Sequence, residues 1–158
     1  MMTILFIIGG VWCLVSSLLL WSVCKIAGKS LLIREKHRDT ILAIDDDTAI
    51  LDVEKTALES EGYNVHVVAN PMEALRYYAE HWQSIKLVLL DFLMPEMTGD
   101  RVFERLREID PQVPVLLVTG YHNRIQSSEL KSGVCGCLLK PFPLDDLVRK
   151  VRDAAGFA

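Results

Sequence analysis

Residues 45–47 read Asp-Asp-Asp, Asp91 closes an apolar run, and Thr119 and Lys140 each follow another. The runs are TILAI before the first acids, KLVLL before Asp91, VPVLLV before Thr119-Gly120 and CGCLL before Lys140-Pro141. Strands lying side by side in an open parallel sheet carry their functional groups at their carboxyl ends, so these residues converge on one edge. Carboxylates crowded in that way disfavour full ionisation. A hard divalent cation relieves the repulsion, and Mg²⁺ takes carboxylate, carbonyl and water oxygens. One carboxylate oxygen then remains free to attack phosphorus, while the ammonium and the hydroxyl hold the equatorial oxygens of the arriving group. Phosphoryl transfer onto a carboxylate is the chemistry this set allows. An aspartate after a strand is more often a turn or cap former, and Asp47 is assigned that role, as N-cap of the first helix.

The elements that must position these groups alternate between two periods. TILAI (40–44) reads as a strand, and the following stretch places Ile50, Leu51, Val53, Ala57 and Leu58 at helical spacing before Gly62, a residue suited to a left-handed C-terminal turn. YNVHVVA (63–69) is strand-like; Asn70-Pro71-Met72-Glu73 then combines an N-cap, a first-turn proline and an N3 glutamate. KLVLL (86–90) is the most apolar strand and is predicted to be central, covered on both faces. VFERLREI (102–109) reads as a helix ending at Asp110-Pro111, VPVLLV (113–118) as a strand, NRIQSSELKSG (123–133) as a more polar helix and CGCLL (135–139) as the last strand. PLDDLVRKVRDAA (143–155) closes as a helix with acids early and bases late, as the helix dipole favours. Five strands alternating with five helices imply an α/β fold with a parallel, doubly wound sheet and right-handed crossovers.

The N-terminal part has a different character. Residues 4–24, ILFIIGGVWCLVSSLLLWSVC, form 21 positions without a charge. At 1.5 Å per residue such a helix is roughly 30 Å long, the thickness of a bilayer's hydrocarbon core. It has no polar face, and MMT before it lacks the basic side chain that a cleaved signal peptide calls for. Residues 1–27 are therefore expected to be a retained transmembrane helix in contact with the lipid bilayer. Residues 28–39 are expected to be a basic juxtamembrane linker. Lys25, Lys29, Arg34, Lys36 and Arg38 flank its C-terminal side, which places the remainder of the chain in the cytoplasm. The same cations serve equally as a solvated linker or as contacts to anionic headgroups. Gly9, Cys13 and Ser17 make a small-residue stripe that would suit a homodimer of such helices.

The 158 residues carry a net charge of −4, which gives no sign of nucleic-acid binding. Hydrophobic content of 51% and a mean hydropathy of +0.25 are high, and the excess sits in the N-terminal span. Cys13 and Cys24 lie in or beside that span, and Cys135 and Cys137 belong to an expected reducing compartment. A lone C-x-C is a weak metal motif, so both are read as small core-compatible residues.

The set ILAIDDD, LVLLDFLMPEMTGD, PVLLVTG and LLKPF resembles the receiver domain of two-component response regulators, in the family's order and with similar spacing, over about residues 40 to 156. The resemblance implies a (βα)5 flavodoxin-like fold with strand order 2-1-3-4-5, occupying residues 40–158. It implies that Asp91 is the phospho-acceptor and that Asp45 and Asp46, with the main-chain carbonyl of Leu93, complete a Mg²⁺ site. Thr119 and Gly120 would meet the phosphoryl group, Lys140 would ion-pair with it, and the Lys140–Pro141 peptide would be cis. The implied partner is a sensor histidine kinase or a histidine phosphotransfer protein, at a bacterial inner membrane in view of the N-terminal span.

This chain departs from the family pattern at the switch position, where Cys137 replaces the usual Tyr or Phe three residues before the lysine. Leu93 and Tyr121, at the positions that tune water access to the acyl phosphate, are both large, and are expected to slow dephosphorylation. With no output domain expected after the last helix, signalling would run through the receiver surface itself. Two other readings are weaker. A haloacid-dehalogenase-like phosphatase would need D-x-D-x-[TV], and Asp45-Asp46-Asp47-Thr48-Ala49 has alanine at the last position. A degenerate receiver acting only as a binding module would not need the full pocket set that is present.

Overall fold

The computed structural model describes residues 40–120 and 133–156. The expected membrane span (4–24), the basic linker, Tyr121 and nearly all of the helix expected at 123–133 lie outside the described residues. Among the described residues, no helix is long and apolar enough to cross a membrane.

Five strands form one sheet: β1 (Thr40–Ile44), β2 (Asn64–Val68), β3 (Ile85–Asp91), β4 (Val115–Thr119) and β5 (Gly136–Leu139). Their order is β2-β1-β3-β4-β5 and every pairing is parallel, as the resemblance implied. The register sets Ala43 against Leu89, Asp91 against Val118 and Thr119 against Leu139, so the ends of the inner strands are level. Polar residues just beyond those ends therefore share one edge.

Four helices lie among the described residues: α1 (Thr48–Ser60), α2 (Pro71–His81), α3 (Gly99–Ile109) and α4 (Leu144–Ala155). Their ends follow the local chemistry. Asp47 caps α1 by accepting from the Ala49 N–H at 2.9 Å, and Asn70 caps α2 by accepting from Glu73 N–H at 3.0 Å. Beyond α1, Gly62 has φ of 91°, the left-handed conformation that glycine adopts without a Cβ penalty. A 3₁₀ turn at Trp82–Ser84 leads into β3 and carried no signal in the sequence pattern.

Alternate residues of each strand serve opposite layers. Leu42, Ile44, Val88, Leu90 and Leu117 pack with Ala74 and Tyr78 of α2 and with Val102, Phe103 and Leu106 of α3. Ile41, Ala43, Leu87, Leu89, Leu116 and Val118 pack instead with Leu51 and Leu58 of α1 and with Leu147 and Val151 of α4. With both faces covered, the strands need no polar side, and this is why β3 is apolar almost throughout.

Two expectations change in detail. Helix α3 starts at Gly99 rather than near Val102, so its first turn reaches back to the Asp91 loop. On α1 the buried stripe is Leu51, Glu54 and Leu58, not the run through Ile50 and Val53. Val53 is 50% exposed, and a carboxylic acid occupies the inward position.

Candidate functional site

Asp45 follows β1 directly, Asp91 is the last residue of β3, Thr119 the last of β4, and Lys140 the first after β5. Asp45, Asp91 and Thr119 are buried, whereas Asp46 is exposed. This combination arises because the strands carry the first three into the protein edge, while Asp46 stands one residue farther along in the turn.

The geometry centres on one ammonium. Lys140 Nζ donates to Asp45 Oδ2 at 2.5 Å and to Asp91 Oδ1 at 3.0 Å. The other oxygens are also used: Asp45 Oδ1 accepts from the Asp47 N–H at 2.9 Å, and Asp91 Oδ2 from the Leu93 N–H at 3.0 Å. Charge-assisted bonds of this kind are about twice as strong as neutral ones. The lysine is held in turn by its own N–H, which donates to the Thr119 carbonyl at 2.8 Å, and by a cis peptide to Pro141. The cis bond is the one that the resemblance implied.

Burial pushes the Asp91 carboxyl above its usual range; Lys140 works against that rise through its hydrogen bond and charge, and Asp45 adds to it. Burial lowers the Lys140 ammonium, but the hydrogen bonds and charges of Asp45 and Asp91 outweigh it and leave it raised. The lysine therefore stays protonated at neutral pH, as an anchor for anionic oxygens must.

Asp45, Asp46 and Asp91 each offer a carboxylate oxygen, and these oxygens lie within 4.8 Å of one another. A set of hard oxygens this close, with one member open to water, fits a Mg²⁺-sized cation. A single lysine leaves the three carboxylates with net negative charge, which a divalent cation would neutralise. The residues present therefore fit the implied metal.

Of the remaining expected residues, Thr119 is fully buried at the strand end and Gly120 is exposed beside it, with open space where a Cβ would stand. Leu93 lies in the loop after Asp91, its side chain partly buried against the core. Cys137 sits on β5 facing the α2–α3 layer, partly buried, and its carbonyl accepts from Lys150 Nζ at 2.6 Å. Cys135 departs from the core-compatible reading: it is exposed, with its thiol 3.0 Å from the Val115 carbonyl.

Two further residues stand near the pocket, of which Glu54 was not singled out from the sequence. Gly99 donates its N–H to the Phe92 carbonyl at 2.9 Å, and a Cβ there would lie 2.6 Å from the Asp91 carbonyl oxygen. Only a residue without a side chain lets α3 begin so close to the acceptor loop. Glu54 is 1% exposed, and burial together with the charge of Asp45 pushes its carboxyl up to about 7, against the lowering influence of Lys140. Its Oε1 has no hydrogen-bond partner, an arrangement that costs about 1–3 kcal/mol. The available signal was a charged residue placed three and four positions from Leu51 and Leu58 on one helix.

Comparison with known proteins gives a consistent answer. Residues 41–152 match the family model described as response regulator receiver domain. The sensor kinase CckA of Brucella abortus is 33% identical over 115 residues, covering 72% of this chain and 12% of the relative. The uncharacterized transcriptional regulatory protein YkoG of Bacillus subtilis is 36% identical over 115 residues, covering 72% of this chain and 50% of the relative. The chain thus spans half the length of one relative and far less of the other. Among solved structures, a CheY-like response regulator receiver domain protein from Methanospirillum hungatei has a TM-score of 0.69 at 34% identity, covering 75% of this chain and 94% of that one. The response regulator TrrA of Thermotoga maritima, solved in complex with Mg²⁺ and BeF, has a TM-score of 0.66 at 28% identity, covering 73% and 98%. Receiver domains are phosphorylatable signalling domains rather than general enzymes, and they bind Mg²⁺ at an acidic cluster of the kind formed here by Asp45, Asp46 and Asp91. From strand order, pocket and relatives together, this chain belongs to the response regulator receiver domain family.

Proposed function

We propose that this chain accepts a phosphoryl group on Asp91 from a histidine kinase or a histidine phosphotransfer protein and signals through its own surface. The observation that carries the reading is the Lys140 ammonium bonded to both Asp45 and Asp91 beside an open carboxylate. An Asp91 carboxylate oxygen attacks phosphorus in line with the donor's P–N bond. That bond breaks, its electron pair returns to the imidazole ring, and an acyl phosphate forms. Lys140 then holds a phosphoryl oxygen, and Thr119 and Gly120 at the end of β4 meet the other side of the group. Asp45, Asp46, Asp91 and the Leu93 carbonyl would hold Mg²⁺, which would supply charge neutralisation at the transferring group. Burial of the acceptor strengthens each of these interactions.

Leu93 and Tyr121 are read as shields that keep water from the acyl phosphate. Cys137 cannot swing inward as an aromatic side chain would, so the output uses a route other than threonine–aromatic coupling. Residues 4–24 are read as a single-pass anchor at a bacterial inner membrane, with the receiver in the cytoplasm. The hydropathy of that segment and the basic residues after it support this.

Incubation with acetyl phosphate and Mg²⁺, followed by intact-mass measurement, tests the central step. One phosphoryl adduct is expected, absent from Asp91→Asn and absent when a chelator removes the metal. No adduct in the wild type, or an adduct that survives in Asp91→Asn, overturns the assignment. For the anchor, the full-length chain is expected in the membrane fraction and to require detergent for release. Its recovery in the soluble fraction with an intact N-terminus would refute that part alone.

A further inference from the structure

Glu54 stands out from the layer that contains it. Leu51 and Leu58 flank it on the inward stripe of α1 and are buried apolar residues, as a helix packed on a sheet requires. Between them a carboxyl is withdrawn from water with one oxygen unpartnered. A leucine there would remove that penalty, so packing alone does not account for an acid.

The surroundings indicate a use for it. The charges that act on Glu54 are those of Asp45, Lys140 and Asp91, the three members of the ammonium clamp. Glu54 and Lys140 also border the same cavity of about 520 Å³, whose other walls include Ile50, Val53, Phe142 and Leu144. A lysine ammonium has three N–H donors, and here two of them are committed to Asp45 and Asp91. One cavity therefore has on its walls an acceptor without a donor and a donor group with capacity left.

A cation bound at the aspartates disturbs this balance. Asp45 and Asp91 are the partners of Lys140, and they are also two of the three carboxylates that fit a divalent ion. Cation and ammonium would share two partner residues, and their like charges oppose each other. Without another acceptor, each would weaken the other.

We propose that Glu54 is a positioning residue for Lys140: it takes the ammonium that Asp45 releases when a divalent cation binds the aspartate cluster. Cation and lysine can then act at Asp91 together. The inference rests on the phospho-accepting reading above, because only that reading needs both charges at once. Burial of Glu54, which is 1% exposed, strengthens a Glu54–Lys140 pair.

The test is a thermodynamic cycle on the full-length chain in detergent, titrated calorimetrically with MgCl₂ at pH 8, where the Glu54 carboxyl is ionised. Glu54→Leu is expected to weaken Mg²⁺ binding about fivefold to tenfold. Glu54→Gln, which keeps an acceptor of the same length, is expected to restore part of the loss. In a Lys140→Met background there is no ammonium to relocate, and Glu54→Leu should then leave Mg²⁺ affinity unchanged. Equal weakening with and without Lys140, or wild-type affinity in Glu54→Leu, overturns the proposal. Mass measurement on the same samples separates the two layers of inference. A wild type that gains an adduct while the cycle shows no coupling refutes only the Glu54 role; a wild type that neither binds Mg²⁺ nor gains an adduct refutes both.

Discussion

The two faces of the sheet each bury a polar side chain, and they treat it in opposite ways. Against α2 and α3, Tyr78 is fully buried, and its hydroxyl lies 3.5 Å from Asp110 Oδ2 at the far end of α3. Burial, then the charge and hydrogen bond of Asp110, hold the phenol above its usual range, so it stays neutral. Against α1 and α4, Glu54 is buried just as deeply with no partner for Oε1, and it borders a cavity shared with Lys140. The phenol has a partner across the layer; the carboxyl next to the phosphorylation pocket has none for one of its oxygens. Glu54 thus keeps a chargeable group beside the pocket, whereas Tyr78 across the sheet stays neutral.

The largest expected effect lies in the α2–α3 layer. Leu106→Ala removes a fully buried side chain of α3 and should cost about 3–4 kcal/mol in chemical denaturation. A loss below about 1 kcal/mol would mean that this face collapses into the void.

Next is the pH dependence of the other layer, measured with a chelator present. The folded-state value for Glu54, about 7, lies above its ordinary value of 4.5. The folded protein therefore holds a proton that the unfolded chain releases, and this stabilisation is present in full below pH 4.5 and lost as pH rises through 7. Relative to Glu54→Leu, the wild type should lose about 3 kcal/mol across that window. A difference that does not vary with pH would place the carboxyl in water and erase the contrast between the faces.

Gly99→Ala tests where the two layers meet the pocket. The new Cβ would fall 2.8 Å from the Phe92 Cα as well as against the Asp91 carbonyl, both main-chain atoms that cannot swing aside. A cost of about 2 kcal/mol is expected in thermal unfolding, with slower adduct formation at Asp91. The smallest effect belongs to Tyr78→Phe, which forfeits a long hydrogen bond and should cost under about 1 kcal/mol.

Much of this was legible in the residue pattern, for reasons that also explain what was not. Asp45, Asp91 and Lys140 could be found because each interrupts an apolar strand at its end, and parallel topology then forces such residues together. The cap at Asn70 and the turn at Gly62 could be read because their backbone needs are local. Glu54 escaped because Ile50 and Val53 offer a second, equally regular apolar stripe on α1, and a glutamate between stripes reads as solvated. Only the seat of the helix on the sheet decides which stripe turns inward. The start of α3 was hidden in the same way: glycine is a poor helix former, and its place in the first turn is dictated by the approach of the Asp91 loop rather than by propensity.

That approach makes α3 a lever. Its pivot is Gly99, one van der Waals contact from the peptide that carries Asp91, and its long arm runs to Ile109. Eleven residues span roughly 16 Å, so a tilt of about 5° at the pivot carries the tip by roughly 1.4 Å. At that tip stands Asp110, within reach of the Tyr78 hydroxyl. A displacement of the acceptor's own backbone would arrive there enlarged, on the opposite side of the domain from the chemistry that caused it.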